Sequence, residues 1–259
     1  MSRPTSCPGG GQTPLGVRQA ATLGTEVAEC LRMGRPAMAY TLVEPVLAQR
    51  TPFPVLERIG QAVGAVPAPL VDPFLQHTAA AGTMGGWVVI GGALGARLDT
   101  DPSGAMAHCR RLVVVADVWY ATDILGERVP GPALVGQFGT TLALLAGWRA
   151  DPSRWVRRTV GVAVHYWAKR SRGAPELAGR ALALLSFIEP MFSERHLDAV
   201  KGVGWGLKTL GKHYPGLVSE WLMEQTVVQR RSHRALKQRK ALTYLSAEER
   251  ARAAGGTPR

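Results

Sequence analysis

The run Trp155-Val156-Arg157-Arg158-Thr159-Val160-Gly161 has a partial echo further along the chain, Ala199-Val200-Lys201-Gly202-Val203-Gly204-Trp205. The two align with Lys201 on Arg158 and Gly204 on Gly161, a spacing of 43 residues. A period of ~40–47 residues, each holding one helix pair, marks a HEAT-like solenoid. The flanking sequence agrees. Asp101-Pro102-Ser103 and Asp151-Pro152-Ser153 are near copies that place an N-capping Asp before a Pro at the first helical position. Asp accepts from orphan N–H groups there, and Pro has no N–H to lose.

Outward from these repeats the chain reads as helix after helix. Apolar positions recur at three and four, as in Leu112, Val115, Trp119 and Leu125. Breaks fall at Arg35-Pro36, Thr51-Pro52, Val66-Pro67, Pro130-Gly131, Glu189-Pro190 and Tyr214-Pro215-Gly216. No sustained alternation and no Asn-Gly or Asp-Gly hairpin signal occurs. The expectation is an all-α fold of roughly twelve helices, about six antiparallel pairs, with a concave basic cleft. A non-repetitive helical bundle is the competing architecture. The domain expectation is a flexible lead-in over 1–16, one solenoid over 17–245 and a flexible tail over 246–259. The lead-in has no apolar core and does not read as a secretory signal.

The 259 residues carry 31 Lys+Arg against 19 Asp+Glu, a net charge of +12, which points to a polyanionic partner. With 46% apolar residues the chain is too hydrophobic to be disordered. Thr78 to Ala96 and Gly131 to Trp148 are free of charge, yet the first holds six Gly and two Thr, and the second holds Gln137, Thr140 and Thr141. Both read as buried helices rather than membrane spans. Three Cys without a CxxC pair imply a reducing compartment, with the cytoplasm around the nucleoid as the expected location. Phosphate-loop, dinucleotide, zinc-protease and serine-hydrolase motifs are absent, and the six His are scattered, so no metal and no cofactor are expected.

Chemistry concentrates in Asp117-Val118-Trp119-Tyr120-Ala121-Thr122-Asp123. Trp119 and Asp123 stand at i and i+4 and share a helix face. The plain structural reading is a core Trp, with Asp123 capping or bridging a neighbour. Arg158 follows Trp119 by 39 residues and Trp205 follows Arg158 by 47, so one repeat could return all four residues to one face. Basic residues gather on the same helices: Arg154, Arg157, Arg158, Lys169, Arg170 and Arg172, then Lys201, Lys208 and Lys212, then Arg230, Arg231, Arg234, Lys237, Arg239 and Lys240. Such clusters on successive helices suggest a track for phosphates.

The chain resembles the AlkD-type DNA alkylation-repair glycosylases. Trp119-Tyr120-Ala121-Thr122-Asp123 is similar to that family's WxxxD helix. Arg154 to Val160 resembles its W-x-x-R-x-A segment, Lys201 to Lys208 its K-A-I-G-W-x-L-R segment, and Ala235 to Leu245 its closing R-x-A-x-x-Y-L helix. The resemblance covers about residues 100 to 245. Gly202, Gly206 and Gly211 depart from it, standing where helix formers are usual, and Lys208 stands where Arg is frequent.

The resemblance implies a glycosylase that hydrolyses the bond between deoxyribose and N3- or N7-alkylated purines in duplex DNA, bulky adducts included, without flipping the base into a deep pocket. The cationic base already leaves well, so one carboxylate could suffice where glycosidases use two. Asp123 would stabilise the sugar cation and position water, Trp119 and Trp205 would pack on the sugar, and Arg158 would anchor a flanking phosphate. Arg154, Arg157, Lys201, Lys208 and Lys212 complete the expected DNA contacts. The expected partner is alkylated double-stranded DNA, with no membrane and a monomeric protein. Two alternatives remain open: a non-catalytic HEAT protein that recognises distorted DNA, and a protein–protein scaffold with Trp119 and Trp205 in the core.

Overall fold

The computed structural model describes residues 16–228 and 235–255. Arg230, Arg231 and Arg234 of the basic set lie outside the described residues, as does nearly all of the expected lead-in. Among the described residues there is no β-strand, and the chain forms an all-α helical-repeat fold.

Seven helices form one row: α1 (Val17–Arg32), α3 (Phe53–Gly64), α5 (Met84–Gly95), α7 (Trp119–Arg128), α10 (Arg154–Ser171), α12 (Leu197–His213) and α14 (Ala235–Ala241). Each packs on the next in that order. The others alternate with them: α2 (Pro36–Leu47), α4 (Ala68–Ala80), α6 (Pro102–Ala116), α8 (Pro130–Gly136), α9 (Phe138–Leu145), α11 (Ala178–Ile188), α13 (Pro215–Met223) and α15 (Ala247–Ala253). Proline sets many of the starts: Pro36, Pro54, Pro102, Pro130 and Pro215 each occupy one of the first two helical positions, where no N–H is needed. Asp101 caps α6 as expected, accepting from the Gly104 N–H at 2.8 Å. Its near copy differs. Asp151 accepts from the Ser153 N–H at 2.8 Å, and Ser153 is the residue that caps α10.

The helices of the first row meet through bare backbone. A Cβ on Gly60 of α3 would stand 2.2 Å from the Val89 carbonyl oxygen of α5. A Cβ on Gly64 would stand 2.3 Å from the Ala93 oxygen. The pattern recurs between α10 and α12, where a Cβ on Gly161 would meet the Gly202 carbonyl carbon at 2.2 Å. Neighbours in this row touch more extensively than those of the other row. The glycines that looked like helix-weakening departures are therefore packing devices, whose propensity cost is offset by close helix contact.

The first charge-free window is a buried helix; the second is not, since α8 and α9 bury only one face and leave Val135, Gly139, Thr140 and Ala143 exposed. Trp87, Val88, Val89 and Ile90 are at most 2% exposed, and no described helix is long and apolar enough to cross a membrane. The expected flexible tail begins instead with α15. Ser246 and Glu249 form a reciprocal capping box at its start, and Ala253 is buried. The S-x-x-E spacing of Ser246 and Glu249 is the sequence signature of that cap.

Gly60→Ala is expected to lower stability by about 1–3 kcal/mol through overpacking against α5. Gly139→Ala, on an exposed face of α9 with nothing near its Cβ position, should instead raise it by about 0.4–1 kcal/mol. Urea unfolding of the two variants checks the opposite signs.

Candidate active site and nucleic-acid interface

Asp123 and Arg158 are joined across the α7–α10 contact. Arg158 Nε donates to Asp123 Oδ1 and Nη2 donates to Oδ2, both at 2.7 Å. This is the fork-to-fork geometry of guanidinium on ionised carboxylate. Arg158 Nη1 also donates to the Asp198 carbonyl oxygen at 3.1 Å, which ties the pair to the start of α12. The Arg158 side chain is 9% exposed and that of Asp123 is 17% exposed. Arg158, expected to anchor a flanking phosphate, is drawn into this internal pair. Three of its N–H donors are committed inside the protein, and the group sits behind Asp123 as the residue that holds it.

Gly202 makes this placement possible. A Cβ there would stand 2.5 Å from the Arg158 carbonyl oxygen and 2.8 Å from its Cγ. Alanine, the helix former expected at this position, would push into the stem that carries the guanidinium.

In front of the pair lies a cleft of about 380 Å³ lined by Asp123, Arg158, Lys201, Trp205, Lys208, Leu236 and Lys240. Lys201, Trp205 and Lys208 present one face of α12 at helical spacing, and Leu236 and Lys240 do the same on α14. Trp205 is half-buried, with His165 stacked on one face at 3.8 Å between centroids. His165 Nδ1 meets Thr209 Oγ1 at 2.7 Å, and Nε2 stands 3.6 Å from Glu127. Hydrogen bonding to His165 outweighs burial and holds the Glu127 carboxyl below the ordinary glutamate range, with Lys169 and Arg128 adding to the effect.

The remaining expected site residues are distributed around this centre. Trp119 begins α7, is 55% exposed and packs edge-on to Tyr120, whose hydroxyl donates to the Gly82 carbonyl at 3.1 Å. It stands outside the lining of the cleft. The turn before it is pinned by Asp117, which has a left-handed φ of 45° and accepts from Trp155 Nε1 and from Arg154 at 3.0 Å.

Arg154 also approaches Asp198 at 3.5 Å, so it bridges two carboxylates. Arg157 is turned to Glu194 at 2.6 Å and to the Asp151 and Pro152 carbonyls. Both were expected on DNA, and both are drawn into internal pairs because fixed acids stand within reach of their forks. Lys212 is exposed beside Tyr244, outside the cleft lining, and Lys208 shares that ring from the cleft side.

The sequence reading missed Lys240, Leu236, His165 and Glu127 as parts of the site. Glu127 repeats the Trp119/Asp123 spacing one turn later, which was an available signal. Lys240 was one of a basic run with nothing local to separate it. Among the described residues no cluster of His, Cys, Asp or Glu could hold a metal ion.

The fold is an all-α helical repeat, and its cleft sets a locked carboxylate beside an indole and a row of lysines. Residues 91–245, more than half of the chain, match the family described as DNA alkylation repair enzyme, and the chain belongs to that family. No curated protein matches the chain. Among solved structures, the alkylpurine DNA glycosylase AlkC of Pseudomonas fluorescens, bound to DNA containing an abasic site analog, superposes with a TM-score of 0.57 at 20% identity. The alignment covers 91% of this chain and 65% of that one, so this chain spans less than two thirds of its length. At that identity the likeness is one of fold.

Arg158→Met leaves Asp123 without its partner and should cost about 3 kcal/mol in urea unfolding. Gly202→Ala should also destabilise, and its cost should be smaller in the Arg158→Met background, because part of it acts through the arginine stem. Glu127 contributes stability that is present above the ordinary glutamate pKa and lost as pH falls through its lowered value. Thermal unfolding below about pH 5 should therefore fall more steeply with acid in the wild type than in Glu127→Gln.

Proposed function

We propose that the protein is an AlkD-type DNA glycosylase that releases cationic N3- or N7-alkylated purines from duplex DNA. The observation that carries this reading is Asp123, locked by Arg158 at the edge of a lysine-lined cleft beside Trp205. Family membership makes alkylated DNA the natural substrate class.

The chemistry follows from the charges. An alkylated purine leaves as a neutral base, so the barrier lies in the cationic sugar rather than in protonating the leaving group. Each Asp123 oxygen accepts one N–H from Arg158 and keeps a further lone-pair site. Those sites can face the sugar cation and orient the water that attacks C1′. The indole of Trp205 adds cation–π attraction to the same developing charge. Trp119, exposed at the start of the same helix, is available to the DNA beyond the cleft. Lys201 and Lys208 supply the positive lining that holds flanking phosphates.

The cleft is open rather than a closed base pocket, which supports reaction without deep flipping and leaves room for bulky adducts. No step of this scheme calls for a cofactor. We further propose a single HEAT-like domain acting as a monomer in the cytoplasm around the nucleoid.

One observation favours the non-catalytic DNA-binding alternative: a carboxylate in a bidentate pair is also what a purely structural bridge looks like. Base release separates the two. Wild-type protein should free 3-methyladenine or 7-methylguanine from alkylated duplex DNA, and Asp123→Asn should slow release by about 10²–10³-fold. Equal background release from both proteins would rule out the glycosylase. Lys201→Ala and Lys208→Ala should each weaken DNA binding and reduce the salt slope by about one unit.

A further inference from the structure

Two lysines lie one turn apart on α14, in opposite surroundings. Lys237 is fully buried, and its ammonium donates to the carbonyls of Met191, Phe192 and Glu194. It is a charged anchor that docks α14, and with it the wall of the cleft. Lys240 is half-buried and lines the cleft with Asp123. Among the described residues it has no hydrogen-bond or ion-pair partner. Its aliphatic stem lies across α12 at Gly204, where a Cβ would stand 2.9 Å from the Lys240 Cδ. The glycine thus opens a channel that delivers the amine to the cleft.

We propose that Lys240 is a nucleophile toward the abasic deoxyribose left in this cleft once a base departs, giving the protein an abasic-site lyase activity. The site favours a reactive amine. Burial disfavours the ammonium and lowers the Lys240 pKa, and Lys208, Arg158, Lys201 and Arg239 lower it further. An unpaired, desolvated lysine among other cations is the usual setting of an amine nucleophile.

The steps balance without a redox partner. The lone pair of the deprotonated Lys240 Nζ attacks C1′ of the ring-opened sugar aldehyde, and the carbinolamine hydroxyl takes up a proton from water and leaves as water, giving a protonated imine. A C2′ proton then passes to water. Its bonding electrons form the C2′–C3′ double bond, and the C3′–O bond breaks with its electrons on the departing 3′-phosphate. Water hydrolyses the conjugated imine, releasing the unsaturated aldehyde and restoring the amine.

The inference rests on the glycosylase reading for the origin of the aldehyde, but a ready-made abasic site tests it separately. The full chain is mixed with a duplex carrying one abasic site, made beforehand by uracil excision, in the presence of borohydride. The expected result is a covalent protein–DNA complex whose reduced adduct maps to Lys240 by peptide mass spectrometry. Lys240→Arg keeps the positive charge but lacks the amine nucleophile, and its yield should fall at least about tenfold.

No complex from the wild type, an undiminished yield from Lys240→Arg, or an adduct on Lys201 or Lys208 overturns the proposal. If the wild type traps abasic DNA on Lys240 yet releases no alkylated base, the glycosylase reading fails and the lyase stands. If it releases base and traps nothing, the lyase alone fails.

Discussion

The bidentate contact between Arg158 and Asp123 is the interaction on which the site depends. It joins α7 to α10, and through the Asp198 carbonyl it reaches the beginning of α12. A carboxylate drawn from water toward a protein interior loses hydration, and the pair repays this only with well-aligned hydrogen bonds. Here both oxygens receive one at 2.7 Å. The result is a fixed negative charge at the wall of a positively lined cleft. Without the arginine, Asp123 could turn toward Lys201, Lys208 or Lys240 and lose its orientation. Preorganisation of this kind lets a charge act on a transition state without first being moved into place.

That contact has a steric precondition in the backbone. Gly161 and Gly202 let α10 and α12 approach until main-chain atoms touch, and the approach sets Arg158 against Asp198. The same device operates between α3 and α5 at Gly60, Gly64 and Gly92. Close packing of this row brings α7, α10, α12 and α14 side by side, and residues of all four line the cleft. One local choice, glycine in a helix interior, thus acts at two levels: the helix pair and the position of a guanidinium. Its cost of about 1 kcal/mol per helical glycine relative to alanine is a local penalty against contacts made along whole helices.

Much of this was legible in the sequence, and the failures share a cause. The all-α repeat could be read because apolar periodicity, proline starts and a spacing of 43 residues are local or nearly local signals. Asp123, Trp205, Lys201 and Lys208 come together because one repeat returns the chain to the same face. The arginines were misjudged because a charge run does not state which acids stand opposite. Arg157 meets Glu194, and Arg154 meets Asp117 and Asp198, only once α6, α10 and α12 are placed in space. His165 was equally invisible, since a lone histidine becomes part of a site only when Trp205 is stacked on it.

The net charge of +12 divides by residue type, and the division has a physical basis. Arg97, Arg110, Arg128, Arg154, Arg157 and Arg158 all approach acids within the fold. A planar fork matched to carboxylates is best spent where geometry is fixed. The cleft is left to Lys201, Lys208 and Lys240, compact charges on flexible stems. A flexible cation can follow an anion whose position varies, where a fork would have to be re-aimed. Lysine also has an amine within reach of deprotonation, which arginine lacks. A cleft built with arginine behind and lysine in front therefore separates two roles: a carboxylate held still by a fixed fork, and flexible cations that can adapt or react.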